Sequence, residues 1–273
     1  MSPPIALTIA GTDPTGGAGI QADLKTFAAL GVYGASAMTA LVAQNTQGVR
    51  AIHDVPPDFI RAQIDSVFDD LTVDAVKIGM LSKPDVIRTV AAALDARGAR
   101  PVVLDPVMVA ASGDPLLDED AVADIRDVLI PRASLITPNL AEAAKLLDCE
   151  VAETSEAMRE QAEALLKFGS DAVLLKGGHG SGADAADVLV TRKGGEPRWF
   201  VAERIDTRNT HGTGCTLSSA IAAGLARGLP LADAVALAKD YLTGALAAAD
   251  TIVVGKGRGP VHHFHALWQK TQA

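Results

Sequence analysis

The segment Asn209-Thr210-His211-Gly212-Thr213-Gly214-Cys215-Thr216 concentrates more potential chemistry than any other stretch of this chain. It stands directly before an Ala/Leu-rich run, Thr213 to Arg227, whose pattern predicts a helix. The unpaired N–H groups of a first helical turn, together with the positive end of the helix dipole, attract anions, and glycines admit a phosphate without Cβ clashes. The same field would lower the pKa of the Cys215 thiol. Taken alone, Gly-Thr-Gly-Cys is more often a tight turn with a small buried sulfur.

A second Gly-rich stretch, residues 11–19, follows an apolar run and precedes a helical segment carrying Asp23. It has neither the GxGxxG spacing of dinucleotide binders nor the GK[ST] ending of a P-loop. A loop this long and glycine-rich after a strand is where open α/β sheets place ligands, so a site is slightly favoured over a plain connection. Further polar groups follow apolar runs: Gln44 and Asn45 after Val42, Asp105 after Leu104, and Asn139 with Glu142 after Ile136. If those runs are parallel strands, their carboxyl ends meet at one edge. There Asp105 and Glu142 could hold Mg²⁺, directly or through water, while Asn139 and Lys176 approach nucleotide phosphates. Singly, each has a bland alternative as a turn residue or a solvated first-turn acid.

The elements that must position these groups are legible. Ile5 to Ala10, Gly34 to Val42, Val73 to Ile78, Pro101 to Leu104, Leu135 to Ile136 and Ala172 to Lys176 are near-continuously apolar, as strands covered on both faces should be. Between them Val86, Ile87, Val90, Ala91 and Leu94 repeat at helical spacing, and Thr154 caps a helical segment that ends at Gly169. Alternating strands and helices predict a mostly parallel, doubly wound sheet. Strand-like pieces around Lys193-Gly194-Gly195 predict a β-hairpin flap, Asp184 to Val201, at a sheet edge. Leu231 to Asp250 reads as another helix, and His262, His263 and His265 open an apparent C-terminal one. Those histidines lack neighbouring carboxylates or cysteines and favour structural roles over metal binding.

Of the 273 residues 48% are hydrophobic and 4% aromatic, the profile of a compact enzyme, and no linker divides the chain, so a single domain over residues 1–273 is expected. A net charge of −9 disfavours nucleic acid and anionic membranes as partners. The N-terminus lacks a basic leader, no run has membrane-spanning length, and Cys149 and Cys215 show no disulfide or zinc spacing, which makes the cytoplasm the expected compartment.

In order along the chain, AGTDPTGGAGIQADLKTF, LVAQNTQGV, KIGML, VLDPVM, SGDPLL, ITPNLAEA, LLKGGH, NTHGTGCT and GPVHHFH resemble the hydroxymethylpyrimidine and phosphomethylpyrimidine kinases of thiamine biosynthesis, a branch of the ribokinase-like superfamily. The similarity runs from Ala6 to about Trp268. It implies a three-layer α/β/α sandwich, ATP as co-substrate with Mg²⁺, and a homodimer. By the same resemblance Gln44 reads the aminopyrimidine edge, matching a ring nitrogen and an exocyclic amine with one donor and one acceptor. Gly11, Asp13, Ala18, Asp23, Val42, Met80 and Val107 line the pyrimidine pocket, with Asp23 a candidate partner of the hydroxymethyl group. Gly212, Thr213, Gly214 and Cys215 form the anion hole, and Asn139, Lys176, Thr210 and Thr213 contact ATP.

Most ribokinase-like sugar kinases carry an aspartate as base where this chain has Cys215. A thiol with a reference pKa of about 8.5 must be depressed to serve that way at neutral pH. Cys215 is thus either a general base, the role favoured here, or a group that mainly positions the alcohol, since a loose transition state needs little early deprotonation, and a second reaction, on an already ionised phosphate, depends less on it. The nearest rivals are a pyridoxal or pyridoxine kinase of the same superfamily and a non-catalytic pyrimidine-binding regulator. A thiol-dependent hydrolase ranks last, because no His and acid pair is placed to activate Cys215.

Overall fold

The computed structural model describes residues 2–108, 119–178 and 184–268, so the SGDPLL motif and His179 lie outside the described residues. In chain order the elements are β1 (Ile5–Ala10), α1 (Gly19–Ala29), β2 (Tyr33–Met38), β3 (Ala40–Asn45), β4 (Gly48–Asp54), α2 (Pro57–Asp70), β5 (Ala75–Ile78), α3 (Pro84–Arg97), β6 (Val102–Leu104), α4 (Glu119–Asp124), β7 (Leu135–Ile136), α5 (Leu140–Leu147), α6 (Ser155–Leu165), β8 (Ala172–Lys176), β9 (Asp184–Thr191), β10 (Arg198–Glu203), α7 (Thr213–Ala226) and α8 (Leu231–Ala247). Eight strands form one sheet in the order β10-β9-β8-β7-β6-β5-β1-β2. Strands β8 through β2 of that order run parallel, and β9 and β10 extend the edge as the expected antiparallel hairpin.

The three-layer sandwich follows from period-two alternation within strands that are apolar on both faces. Leu7 and Ile9 of β1, with Val173 and Leu175 of β8, pack under α2, α3, α5 and α6. Ala6 of β1, with Ala172 and Leu174 of β8, pack under α1, α7 and α8. Burying each Leu or Ile in these layers contributes roughly 1.5–3 kcal/mol. The second layer is built on alanines of α7 and α8, which lets those helices sit close to the sheet. Among the described residues no helix is long and apolar enough to cross a membrane.

Two expectations are corrected. Gly34 to Val42 is not one strand: the chain leaves the sheet at Thr39, whose N–H bonds Ala10 O at 2.9 Å and whose hydroxyl bonds Met80 O at 2.9 Å. Residues after it form β3, which pairs with β4 as a separate two-stranded hairpin. Residues 262–268 form turns rather than a helix, pinned by the Tyr241 hydroxyl donating to His263 O at 2.5 Å.

Candidate active site

The carboxyl ends of the parallel strands face one edge, and the predicted groups gather there. Helix α7 begins at Gly212, a left-handed N-cap with φ of 82°, and carries no capping side chain and no acid in its first turn. A Cβ on Gly212 would lie 1.8 Å from Gly17 O, so only glycine fits this close approach between the two Gly-rich loops. Helix α1 also starts uncapped, at Ala18, which brings a second positive helix end to the same place.

The loop between β1 and α1 is organised by Asp13. Its buried carboxylate accepts from Thr15 N and Oγ1 at 2.9 and 2.7 Å, from Gly17 N at 3.1 Å and from Ala18 N at 2.8 Å. His211 Nε2 stands 2.7 Å from Asp13 Oδ2 and ties this loop to the anion-binding turn. Burial opposes ionisation, but the His211 and Thr15 hydrogen bonds overcome it and hold Asp13 well below the usual carboxylate range. The carboxylate is thus occupied by its own loop and by His211.

Lys176, Asp105, Asn139 and Glu142 are brought together as anticipated. Lys176 Nζ lies 2.8 Å from Asp105 Oδ1, which also accepts from Thr137 Oγ1 at 2.9 Å. Asn139 caps α5 in a reciprocal box, its side chain accepting from Glu142 N at 2.9 Å while Glu142 Oε2 accepts from Asn139 N at 2.8 Å. Glu142 is buried rather than a solvated first-turn acid, and burial with the nearby Asp105 charge pushes it up to about 7 against the pull of Lys176. The α7 turn touches this cluster: a Cβ on Gly214 would lie 3.3 Å from Asp105 Oδ2 and 3.5 Å from Lys176 Nζ. Among the described residues no group of three or more His, Cys, Asp or Glu could hold a metal by itself. Two adjacent buried carboxylates, one destabilised as an anion, nevertheless fit a hard cation that takes its other ligands from water and nucleotide phosphates.

On the far side of residues 11–19, Val42, Met80 and Val107 form a small apolar cluster with Ala40. Gly11 lies against it, since a Cβ there would meet the Met80 methyl at 2.6 Å. Gln44 follows Val42 on the same face of β3, with a bulge opposite it in β4. Thr12 Oγ1 accepts from Val42 N at 3.0 Å and fixes the hairpin to the loop.

One further expectation does not survive. Asp23 is fully buried, with Lys77 Nζ 2.9 Å from both of its oxygens and hydroxyls of Thr8 and Ser219 each donating at 2.6 Å. It has no free face for a hydroxymethyl group. The Cys215 thiol is not depressed: burial pushes it up to about 11, against the attraction of Lys77 and the Gly19 N–H that bonds the sulfur. These surroundings favour the thiol form, in which Cys215 is a neutral hydrogen-bonding group.

Thr210 opens on a groove of about 870 Å³ beside β10, walled by Glu203, Ile205 and Thr207. His263 is structural as anticipated: its Nε2 pairs with Thr216 Oγ1 at 3.1 Å. Lys77 and His211 are the residues that sequence reasoning missed. Their signals were a lysine inside an otherwise apolar strand and a histidine inside the anion-binding motif.

The sequence profile described as phosphomethylpyrimidine kinase matches residues 13–262. The chain is 59% identical over 263 residues to the hydroxymethylpyrimidine/phosphomethylpyrimidine kinase of Escherichia coli K12, covering 96% of this chain and 98% of that protein. Its structure resembles the ADP complex of Bacillus subtilis pyridoxal kinase, with a TM-score of 0.89, 38% identity and coverage of 97% and 99%. It also resembles phosphomethylpyrimidine kinase from Clostridium difficile 630, with a TM-score of 0.78, 42% identity and coverage of 89% and 99%.

Proposed function

Because this chain belongs to the phosphomethylpyrimidine kinase family, we propose that one site performs two phosphorylations, first on the alcohol of hydroxymethylpyrimidine and then on the resulting monophosphate. The chain is a kinase of these pyrimidines in thiamine biosynthesis. The observation that carries the single-site reading is the meeting of Gly214 with the Lys176–Asp105 pair, beside the pocket of Gly11, Val42 and Met80.

In this reading ATP is the phosphoryl donor and lies across the sheet edge, with Asn139, Lys176, Thr210 and Thr213 around its phosphates. The N–H groups of Gly214 and Cys215 receive the equatorial oxygens of the transferring group. Lys176 offsets their charge. Asp105 and Glu142 would hold Mg²⁺, in part through water, and the bound cation would neutralise charge on the donor phosphates.

Gln44 orients the aminopyrimidine, and Met80, Val42 and Val107 cover its apolar faces. Cys215 aims the acceptor hydroxyl by hydrogen bonding. Phosphoryl transfer through a loose transition state needs little deprotonation of the nucleophile before the new bond forms, and the hydroxyl proton passes to an oxygen of the transferred phosphoryl group as the bond to the leaving ADP breaks. The monophosphate enters already ionised and needs no such help.

A homodimer is part of the proposal. It is supported by the exposed apolar side chain of Leu41 on the β3–β4 hairpin, on the face opposite Val42, which a second subunit would cover. A cytoplasmic location accords with the use of ATP. The test is ATP consumption by the purified protein with hydroxymethylpyrimidine, its monophosphate or pyridoxal, each with and without Mg²⁺. Mg²⁺-dependent turnover of both pyrimidines supports the reading, and turnover of pyridoxal alone refutes it.

A further inference from the structure

The reaction scheme leaves one fully buried lysine without a task. Lys77 stands in β5 among apolar neighbours, with its ammonium 2.9 Å from each Asp23 oxygen. Thr8 of β1 and Ser219 of α7 complete the shell of Asp23, so β1, β5, α1 and α7 meet at one carboxylate. An apolar cluster of similar volume would stabilise a fold at least as well as such a pair, so stability alone does not account for it.

Its position says more. Cys215 and Ser219 lie one turn apart on the same face of α7, and Asp23, which lies one turn after Gly19 of α1, receives the Ser219 hydroxyl. The ammonium lies at the carboxyl end of β5, because a Cβ on Gly79 would come within 2.8 Å of Nζ. The charged groups acting on the sulfur are Lys77 from β5, Asp23 from α1 and Asp105 after β6, while the first turn of α7 carries no acid. Lys176 of β8 faces Asp105 across Gly214.

We infer that Lys77 and Asp23 are positioning residues for phosphoryl transfer: Lys77 supplies a permanent positive charge beneath the anion-binding turn, and Asp23 both holds α1 and α7 in register and limits how much of that charge reaches Cys215. The inference rests on the proposed function only in placing Cys215 opposite the acceptor oxygen.

The experiment is the rate of Cys215 alkylation by iodoacetamide in the full-length protein at one fixed pH, without ATP or pyrimidine, read on the Cys215 peptide by mass spectrometry. Exposed Cys149 in the same sample is the internal reference. A neighbouring charge moves a thiol by about one pH unit or more, so Lys77→Met slows alkylation about tenfold and Asp23→Asn speeds it by a similar factor. Lys77→Arg keeps a rate near that of the unmodified protein. A pair that served only packing would loosen the site in both variants and speed both. Shifts in the same direction, or no shift in either, overturn the inference.

Ser219→Ala removes one hydroxyl donor from Asp23, leaves its charge less compensated and slows alkylation by a smaller factor. It supplies the answer if the charge variants do not fold, and an unchanged or faster rate in it then overturns the inference. Because the readout needs no turnover, a failed kinase assay and a failed alkylation result remain distinguishable.

Discussion

Lys176 Nζ lies 2.8 Å from Asp105 Oδ1 across 71 positions of sequence, and the ammonium is the group that keeps this buried carboxylate ionised. Burial raises the pKa of Asp105, but Lys176, Lys77 and the Thr137 hydroxyl together bring it below its ordinary value. The pair joins the ends of β6 and β8 directly beneath Gly214. Structure and charge balance are therefore coupled at the proposed phosphate site.

Lys176→Met is expected to abolish both phosphorylations and to destabilise the protein by about 3–5 kcal/mol, because it strands Asp105 as an uncompensated buried charge. The double variant Lys176→Met/Asp105→Asn recovers most of that stability and none of the activity. Urea unfolding followed by circular dichroism, alongside ATP consumption, separates the two effects. Unchanged stability in the single variant would contradict the buried-pair account.

Gly212→Ala places a Cβ where Gly17 O stands and demands a left-handed conformation that alanine resists. The strain costs about 1–3 kcal/mol, and the turn must move to relieve it. Steady-state kinetics should show kcat reduced by about a hundredfold or more for both acceptors, comparable to losing an oxyanion-hole donor. Activity within twofold of the parent would remove this turn from the mechanism.

Gln44→Ala is expected to lower kcat/KM for both pyrimidines by about a hundredfold while leaving KM for ATP unchanged, since an unpaired polar edge on a bound ring costs about 1–3 kcal/mol. A change confined to ATP would place Gln44 elsewhere in the reaction.

Cys215→Ala is expected to reduce phosphorylation of the alcohol more than phosphorylation of the monophosphate, because only the alcohol relies on the sulfur to aim it. Product formation from each acceptor, measured separately at saturating ATP, checks this. Equal losses would mean that the sulfur serves the anion hole alone.

His263 carries the clearest acid sensitivity. Burial, aided by the nearby Lys25 charge, pushes it from 6.5 down to about 3, so the folded protein holds it neutral where the unfolded chain protonates it. Its contribution to stability is complete above pH 6.5 and is lost as pH falls toward 3. The loss grows by about 1.4 kcal/mol per pH unit. Urea unfolding between those limits should show a shallower acid decline in His263→Gln, and parallel curves would contradict the assignment.

Fold and site were legible to different depths. The strand at Ile5–Ala10 and the helix starting at Thr213 could be read directly, because near-continuous apolar runs and an Ala/Leu period are local signals. The meeting of Asp105, Asn139 and Lys176 followed from one rule about parallel strands. What failed depended on tertiary burial. Nothing local distinguishes Asp23 bound by Lys77 from Asp23 facing a substrate, and the helix-terminus argument for Cys215 omitted the larger effect of desolvation. The break at Thr39 was hidden because its cause, bonds to Ala10 and Met80, lies in distant residues.

The central claim is that one pocket and one anion-binding turn serve both phosphorylations, and it is tested most directly by inhibition kinetics. With hydroxymethylpyrimidine as the varied substrate, the monophosphate should inhibit the first reaction competitively, with an inhibition constant equal to its own KM in the second. Noncompetitive inhibition, or two constants that differ by more than tenfold, would contradict it and divide the activities between separate sites.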